Sequence, residues 1–250
     1  MFLQLYHSAH FGSTDEKPIL ISQNPINQTI QRAISTIDFI PPFETHKVGV
    51  IYVGPGQANQ ETEILRNEFG SLRYALFLQS LGTLINLKNA DPQSTFLGGL
   101  DKSGVDGKFA YIWQDDITQV TFHVATLMPT KESDPNCHAK KAHIGNDYVT
   151  IVYNESGEDY NIQTVKVIWK SDIILQKLSK FYNFMHWFYF QGQFNYANVI
   201  IQPLDHSTNK VVVKARDELA DLIGHSEQKI VSDQNLAILA RQLALHANVR

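Results

Sequence analysis

The stretch His143-Ile144-Gly145-Asn146-Asp147-Tyr148-Val149-Thr150-Ile151-Val152-Tyr153-Asn154 decides how this chain is read. Its second half, Tyr148 to Tyr153, is rich in β-branched and aromatic residues and reads as a strand. Its first half is a short polar turn. A glycine and two short polar residues placed directly ahead of a rigid strand can hold one side chain out at a fixed angle. Lys140-Lys141-Ala142-His143 reads as a short helix carrying that turn. On the residues alone a second reading stands beside this one. Gly145 supplies a bend, and Asn146 or Asp147 satisfies nearby backbone groups.

Working outward, Val48 to Val53 reads as a buried strand followed by the turn Gly54-Pro55-Gly56-Gln57. Glu61 to Glu68 reads as a short helix. Ser71 is the expected N-cap of a longer one, whose apolar face runs through Tyr74, Phe77, Leu78, Leu81, Leu84 and Ile85, with Gly82 inside the pattern. Lys108 to Trp113 and Val120 to Ala125 are expected strands around the turn Gln114-Asp115-Asp116. Ala197 to Ile201 is another. Gln31 to Ile37 reads as helical before the break at Pro41-Pro42, and Asp217 to Leu222 as a turn of helix. A last helix is capped by Ser232 or Asp233, with Leu236, Leu239, Ala240, Leu243 and Leu245 inward. Strands and helices interspersed in this way predict an α/β (mixed α+β) fold with a central mixed sheet flanked by helices.

A chain of 250 residues with 43% hydrophobic and 18% charged residues can bury a substantial core. The net charge of -4 gives no electrostatic case for nucleic acid. A single cysteine, Cys137, excludes an intrachain disulfide framework and fits a reducing compartment. The N-terminus has neither the basic region nor the apolar core of a signal peptide. Ala247 to Arg250 follows a helical pattern with no stop signal, which reads as part of a longer protein.

The motif search eliminates more than it finds. Gly54-Pro55-Gly56-Gln57-Ala58-Asn59 lacks the third glycine of a dinucleotide fingerprint, and Gly98-Gly99 lacks the Gly-Lys-Ser/Thr of a P-loop. Both read as turns. Asp115, Asp116, His123, His138 and His143 supply metal donors, but at spacings that match no standard signature. Asp115-Asp116 reads as a solvated turn and His123 as a packed strand residue. No Gly-x-Ser-x-Gly elbow is present, and Cys137 beside His138 is an ordinary thiol. No metal and no cofactor is expected.

Ordered blocks along most of the chain resemble the Rap/Ran-GAP family of GTPase-activating domains. They include Phe2 to Ser8, Thr45 to Val53, Phe96-Leu97-Gly98-Gly99-Leu100-Asp101, Ala125 to Lys131 and His143 to Asn154. Ser156-Gly157-Glu158-Asp159, Gly192-Gln193-Phe194-Asn195, Lys229 to Asp233 and Ala240 to Asn248 complete the set. The Gly-Glu-Asp and Ile-Val-Ser-Asp blocks are those of the branch that acts on Rheb rather than the Rap-directed one. The resemblance implies a catalytic "asparagine thumb" at Asn146, inserted into a GTP-bound small G-protein of the Rheb type. It also implies a hamartin-like partner in the full-length protein, negative regulation of TOR signalling and a cytoplasmic location, with peripheral association with endomembranes open. His143, Lys140 and Lys141 would brace the thumb or meet the partner's acidic surface or phosphates. Gly145 and Asp147 would shape or orient the thumb backbone. The family pattern has an arginine where Ala142 stands, so any contact of that arginine does not carry over. A catalytically weak binding or scaffold module on the same fold is the competing reading, and a stand-alone hydrolase is a third.

On this reading residues 1–37 are an N-terminal lead-in and 38–250 the domain. The stretch 167–191 interrupts the resemblance. It carries Trp169, Phe181, Tyr182, Phe184, Trp187, Phe188, Tyr189 and Phe190. A translated retained intron is the hypothesis: valine codons begin with GT, a glutamine codon can be CAG, and Phe and Tyr codons are pyrimidine-rich. A genuine surface insertion and an interfacial amphipathic helix are the alternatives.

Overall fold

A computed structural model describes residues 44–165, 196–215 and 227–249. Strand β1 (Glu44–Val53) is followed by helices α1 (Glu61–Arg66) and α2 (Leu72–Leu81), then strand β2 (Thr83–Asn86). Next come β3 (Phe109–Gln114), β4 (Thr118–Val124), helix α3 (His138–Ile144) and β5 (Val149–Asn154). The last elements are β6 (Ala197–Pro203), β7 (Thr208–Ala215), β8 (Lys229–Ser232) and helix α4 (Asp233–Val249).

The strands form one sheet in the order β2-β3-β4-β1-β5-β6-β7-β8. Its middle is parallel: β1 lies between β4 and β5, and β5 pairs with β6. The flanks, β2–β3–β4 and β6–β7–β8, are antiparallel. A parallel strand is covered on both faces and reads as a continuous apolar run. That is why β5 is buried from end to end.

Alternate residues feed two cores. Val48, Val50, Val149, Ile151, Val199 and Ile201 pack with Tyr74, Phe77, Leu78 and Leu81 of α2 and with Leu236, Ala237 and Ala240 of α4. On the other side Ile51, Val53, Val152 and Ile200 meet Ile64 and Leu65 of α1 and Ile144 of α3. The expected mixed α/β architecture is thus the observed one. No helix among the described residues is long and apolar enough to cross a membrane.

Ser71 caps α2 as expected, its hydroxyl accepting from the Tyr74 N–H at 3.1 Å. The helix stops sooner than its apolar spacing predicts. Leu84 and Ile85 lie on strand β2, paired antiparallel with Tyr111 and Ala110. Gly82 makes the break. A Cβ there would come within 2.7 Å of the Ile112 carbonyl oxygen, so only glycine lets β3 approach this closely. The expectations for residues 1–37, 167–191 and 217–222 lie outside the described residues.

Candidate functional site

Helix α3 carries the polar turn to the start of the central strand β5. Asp134 starts the helix: its two carboxylate oxygens accept from the His138 N–H at 2.9 Å and the Ala139 N–H at 2.8 Å. These amide bonds, the Ala139 one foremost, hold the Asp134 carboxyl below the usual range, against the upward push of burial. Cys137 precedes the first turn in the left-handed region (φ 53) and is buried, which pushes its thiol pKa up.

At the other end the chain stays nearly helical. Gly145 adopts right-handed helical dihedrals (φ -74, ψ -19), and its N–H reaches the Lys141 carbonyl at 2.8 Å. The expected bend at Gly145 is therefore absent. The Asn146 N–H bonds the His143 carbonyl at 3.1 Å, and the Asp147 N–H that of Ile144 at 3.3 Å. The turn unwinds the helix gradually and then enters β5.

The half-buried Asn146 side chain sits at the rim of this turn. Its Nδ2 donates to the Ala142 carbonyl oxygen at 2.6 Å. That carbonyl is one of the helix-end acceptors without an intrahelical partner. No hydrogen bond to Oδ1 is present among the described residues, so the carbonyl end of the amide is uncommitted. The Ala142 side chain plays no part in holding it.

The neighbours fall into two groups. His143 lies three residues before Asn146, its Nε2 3.1 Å from Asp106 Oδ1. Lys140 and Lys141 do not reach the rim and correct the partner-facing expectation. Lys140 is 2% exposed and donates to the Leu65 carbonyl at 2.8 Å. Burial holds its pKa below the ordinary lysine value. Lys141 is also buried and pairs with Glu61 at 2.8 Å. Both ammonium groups tie α3 to α1 and its end.

Asp147 also departs from expectation. Among the described residues its carboxylate caps no backbone amide of the turn. It is fully buried and meets His123 Nδ1 on β4 at 2.8 Å. His123 is the packed strand residue its neighbours imply, but it packs as half of a polar pair. Its ring meets that of His143 edge-on, with centroids 5.3 Å apart. Asp106 went unnoticed in the sequence, and His123 was weighed there only as a metal donor and a packed strand residue. The only sequence signal was a histidine and an aspartate in unrelated blocks.

Asp115, by contrast, serves its own turn, accepting from the Ile117 and Thr118 amides. On the strand side of Asn146, Tyr148 is 46% exposed and stacks on Tyr196 with centroids 5.5 Å apart.

Comparison with known proteins places this geometry in context. The Rap/ran-GAP family model matches residues 64–174 and 163–250. The Tuberous sclerosis 2 protein homolog of Schizosaccharomyces pombe is 36% identical over 99% of this chain, which spans 17% of that protein. The Ral GTPase-activating protein subunit alpha-2 of Mus musculus is 37% identical over 54% of this chain, which spans 7% of that protein. A solved structure of the TSC2 GAP domain superposes with a TM-score of 0.65 at 36% identity, covering 82% of this chain and 96% of that one.

Proposed function

The chain belongs to the Rap/Ran-GAP family, and from that premise we propose that it stimulates GTP hydrolysis on a Rheb-type small G-protein, with Asn146 as the group delivered in trans. The observation that carries this reading is the state of the Asn146 amide. It stands at the rim, held at its nitrogen by Ala142 and, among the described residues, without a partner at its oxygen, on a turn rooted in the central strand of the sheet.

GTP hydrolysis needs a water held in line with the γ-phosphate and relief of the charge that spreads over the phosphoryl oxygens. An asparagine brings no charge, so its contribution is positional. A carboxamide has an acceptor oxygen and two N–H donors. With one N–H anchored on Ala142, Oδ1 accepts from the attacking water and the second N–H faces a phosphate oxygen. His143 braces the thumb from the side of Asp106. The anchor is a backbone carbonyl, so alanine in place of the family's arginine leaves it intact.

The likeness to tuberin supports Rheb as the G-protein, a hamartin-like protein as partner of the longer polypeptide, and negative regulation of TOR signalling. The same likeness supports a cytoplasmic domain that reaches endomembranes peripherally.

Single-turnover hydrolysis with GTP-loaded Rheb, Rap and Ral proteins tests the proposal. The Rheb-type protein is expected to be stimulated most. Asn146→Ala is expected to keep its fold and lose on the order of a hundredfold in stimulated rate, the scale of removing one positioned group. Near-normal stimulation by that variant would defeat the thumb assignment. Equal stimulation of all three G-proteins would defeat the Rheb assignment.

A further inference from the structure

We infer that His123 is a positioning residue for Asn146: acting through Asp147, it sets the direction in which the thumb points. The inference rests on the reading that Asn146 is the delivered group, and deepens it.

Little holds the thumb directly. The Asn146 side chain makes one hydrogen bond among the described residues, to Ala142. Its aim is otherwise set by the backbone of residues 145 to 147. Upstream that backbone is fixed by α3. Downstream it is fixed at Asp147, whose carboxylate leaves the turn and runs into the sheet to His123, 24 residues away on β4. Aspartate in an exposed turn ordinarily bonds the backbone just ahead of it. Here both partners are sealed, at 1% and 0% exposure.

The His123 ring is itself held from several sides. A Cβ on Gly98 (φ +64) would come within 2.9 Å of its Nε2, so glycine lets the Phe96–Leu100 loop lie on the ring. The Thr121 hydroxyl donates to the Phe96 carbonyl and ties that loop to the same strand. His143, three residues before the thumb, meets the ring edge-on and is fixed by Asp106. Gly49 of β1 pairs in register with His123 on one side and Thr150 on the other. A Cβ on Gly49 would lie 3.4 Å from Asp147 Oδ2 and 3.0 Å from Thr150 Oγ1. Two glycines thus leave the room in which the dyad sits.

A sealed histidine–carboxylate pair is a poor source of net stability, because desolvation cancels most of the attraction and an apolar replacement of equal volume packs as well. What the pair supplies is a bond of fixed length and direction between the sheet and the residue next to the thumb. An error of about 1 Å in a positioned group costs roughly a hundredfold in rate.

The experiment compares His123→Leu, which fills the space without a hydrogen bond, with His123→Asn, which retains a donor. Because His123→Leu leaves the Asp147 carboxylate buried without its partner, the double variant His123→Leu/Asp147→Asn, which removes that charge at the same size, takes its place should the leucine substitution not fold, with the same loss of kcat and change of amide signal expected. Stimulated kcat is read beside affinity for the G-protein loaded with a non-hydrolysable GTP analogue. The Asn146 side-chain amide signal is read by NMR in the free domain.

His123→Leu is expected to lower kcat about 10- to 100-fold, leave affinity within about twofold, and broaden or shift the Asn146 amide pair; His123→Asn recovers part of each. An unchanged kcat and amide signal in His123→Leu would overturn the inference. So would a loss of kcat, affinity and melting temperature together with no recovery in His123→Asn. If the wild-type domain stimulates no G-protein, or Asn146→Ala does so normally, the thumb reading has failed instead. The amide signal then decides the positioning claim by itself.

Discussion

Lys140 is 2% exposed with its ammonium on the Leu65 carbonyl, and burial holds its pKa below the ordinary value against the weaker upward pull of Cys137 and Glu68. The sign of the consequence follows from linkage. The unfolded chain binds this proton more tightly, so wild-type stability rises as pH climbs from below the lowered pKa toward the ordinary lysine value. Lys140→Met removes that rise. At pH 7 the orphaned Leu65 carbonyl costs about 1 kcal/mol, and relief from burying an ammonium offsets it. Urea unfolding at pH 7 and pH 10 is expected to show a variant close to wild type at neutral pH and flatter above it. G-protein affinity and its salt dependence should be unchanged, measured by titration at two salt concentrations. A steep loss of salt dependence would return Lys140 to the interface. Sequence placed this lysine at the rim because its partner lies 75 positions away. No local pattern announces a lysine whose acceptor comes from another helix.

Helix α3 has seven residues, too few to hold its shape without tertiary help. Its start depends on Asp134, and its end carries Asn146, the proposed thumb. Asp134→Ala removes a capping carboxylate worth about 1 kcal/mol. A frayed first turn also loosens the Ala142 carbonyl on which Asn146 rests, so stimulated hydrolysis should fall more than the melting temperature does. The Asp134 pKa is depressed in the folded state. Its contribution is therefore fully present above the unfolded carboxylate value and is lost as pH falls through the lowered one. Thermal melts from pH 7 downward are expected to converge for wild type and Asp134→Ala in acid. Parallel curves across that range would show that the carboxylate is no cap.

Elements were legible where periodicity was local and clean. Val48–Val53, the Ser71 cap and the run before Asn154 are such cases. Strand β7 escaped notice because the polar Asn209 shares its inward face with Val211 and Val213, while the apolar Val212 stands on the other face between Lys210 and Lys214 and blurs the alternation. Strand β2 was read as helix because Leu84 and Ile85 fall in helical phase with Leu81, and only the backbone of β3 against Gly82 breaks it.

At the scale of the whole molecule, β5 and β6 are parallel neighbours at the centre of the sheet, so the chain between Asn154 and Ala197 must cross over. A parallel crossover needs about a dozen residues. This connection is far longer, and it holds the aromatic stretch 167–191 that interrupts the family pattern. The family model meets the chain in two overlapping pieces, 64–174 and 163–250, with the join at the front of that stretch. Removing 167–191 in frame leaves residues 155–166 and 192–196 to make the crossover, which exceeds the minimum. Loop shortening of this kind changes closure entropy by less than about 1 kcal/mol. The shortened chain is therefore expected to fold with an unchanged sheet, to stimulate hydrolysis at least as well as the full one, and to be the more soluble, because eight aromatic residues are removed from the chain. Circular dichroism, the single-turnover assay and sedimentation at increasing concentration measure these in turn. Unfolding of the shortened chain would show the stretch to be part of the core. Sequencing of the transcript then separates the two origins: a message that always carries the segment makes it a genuine insertion, and a spliced form makes it a retained intron.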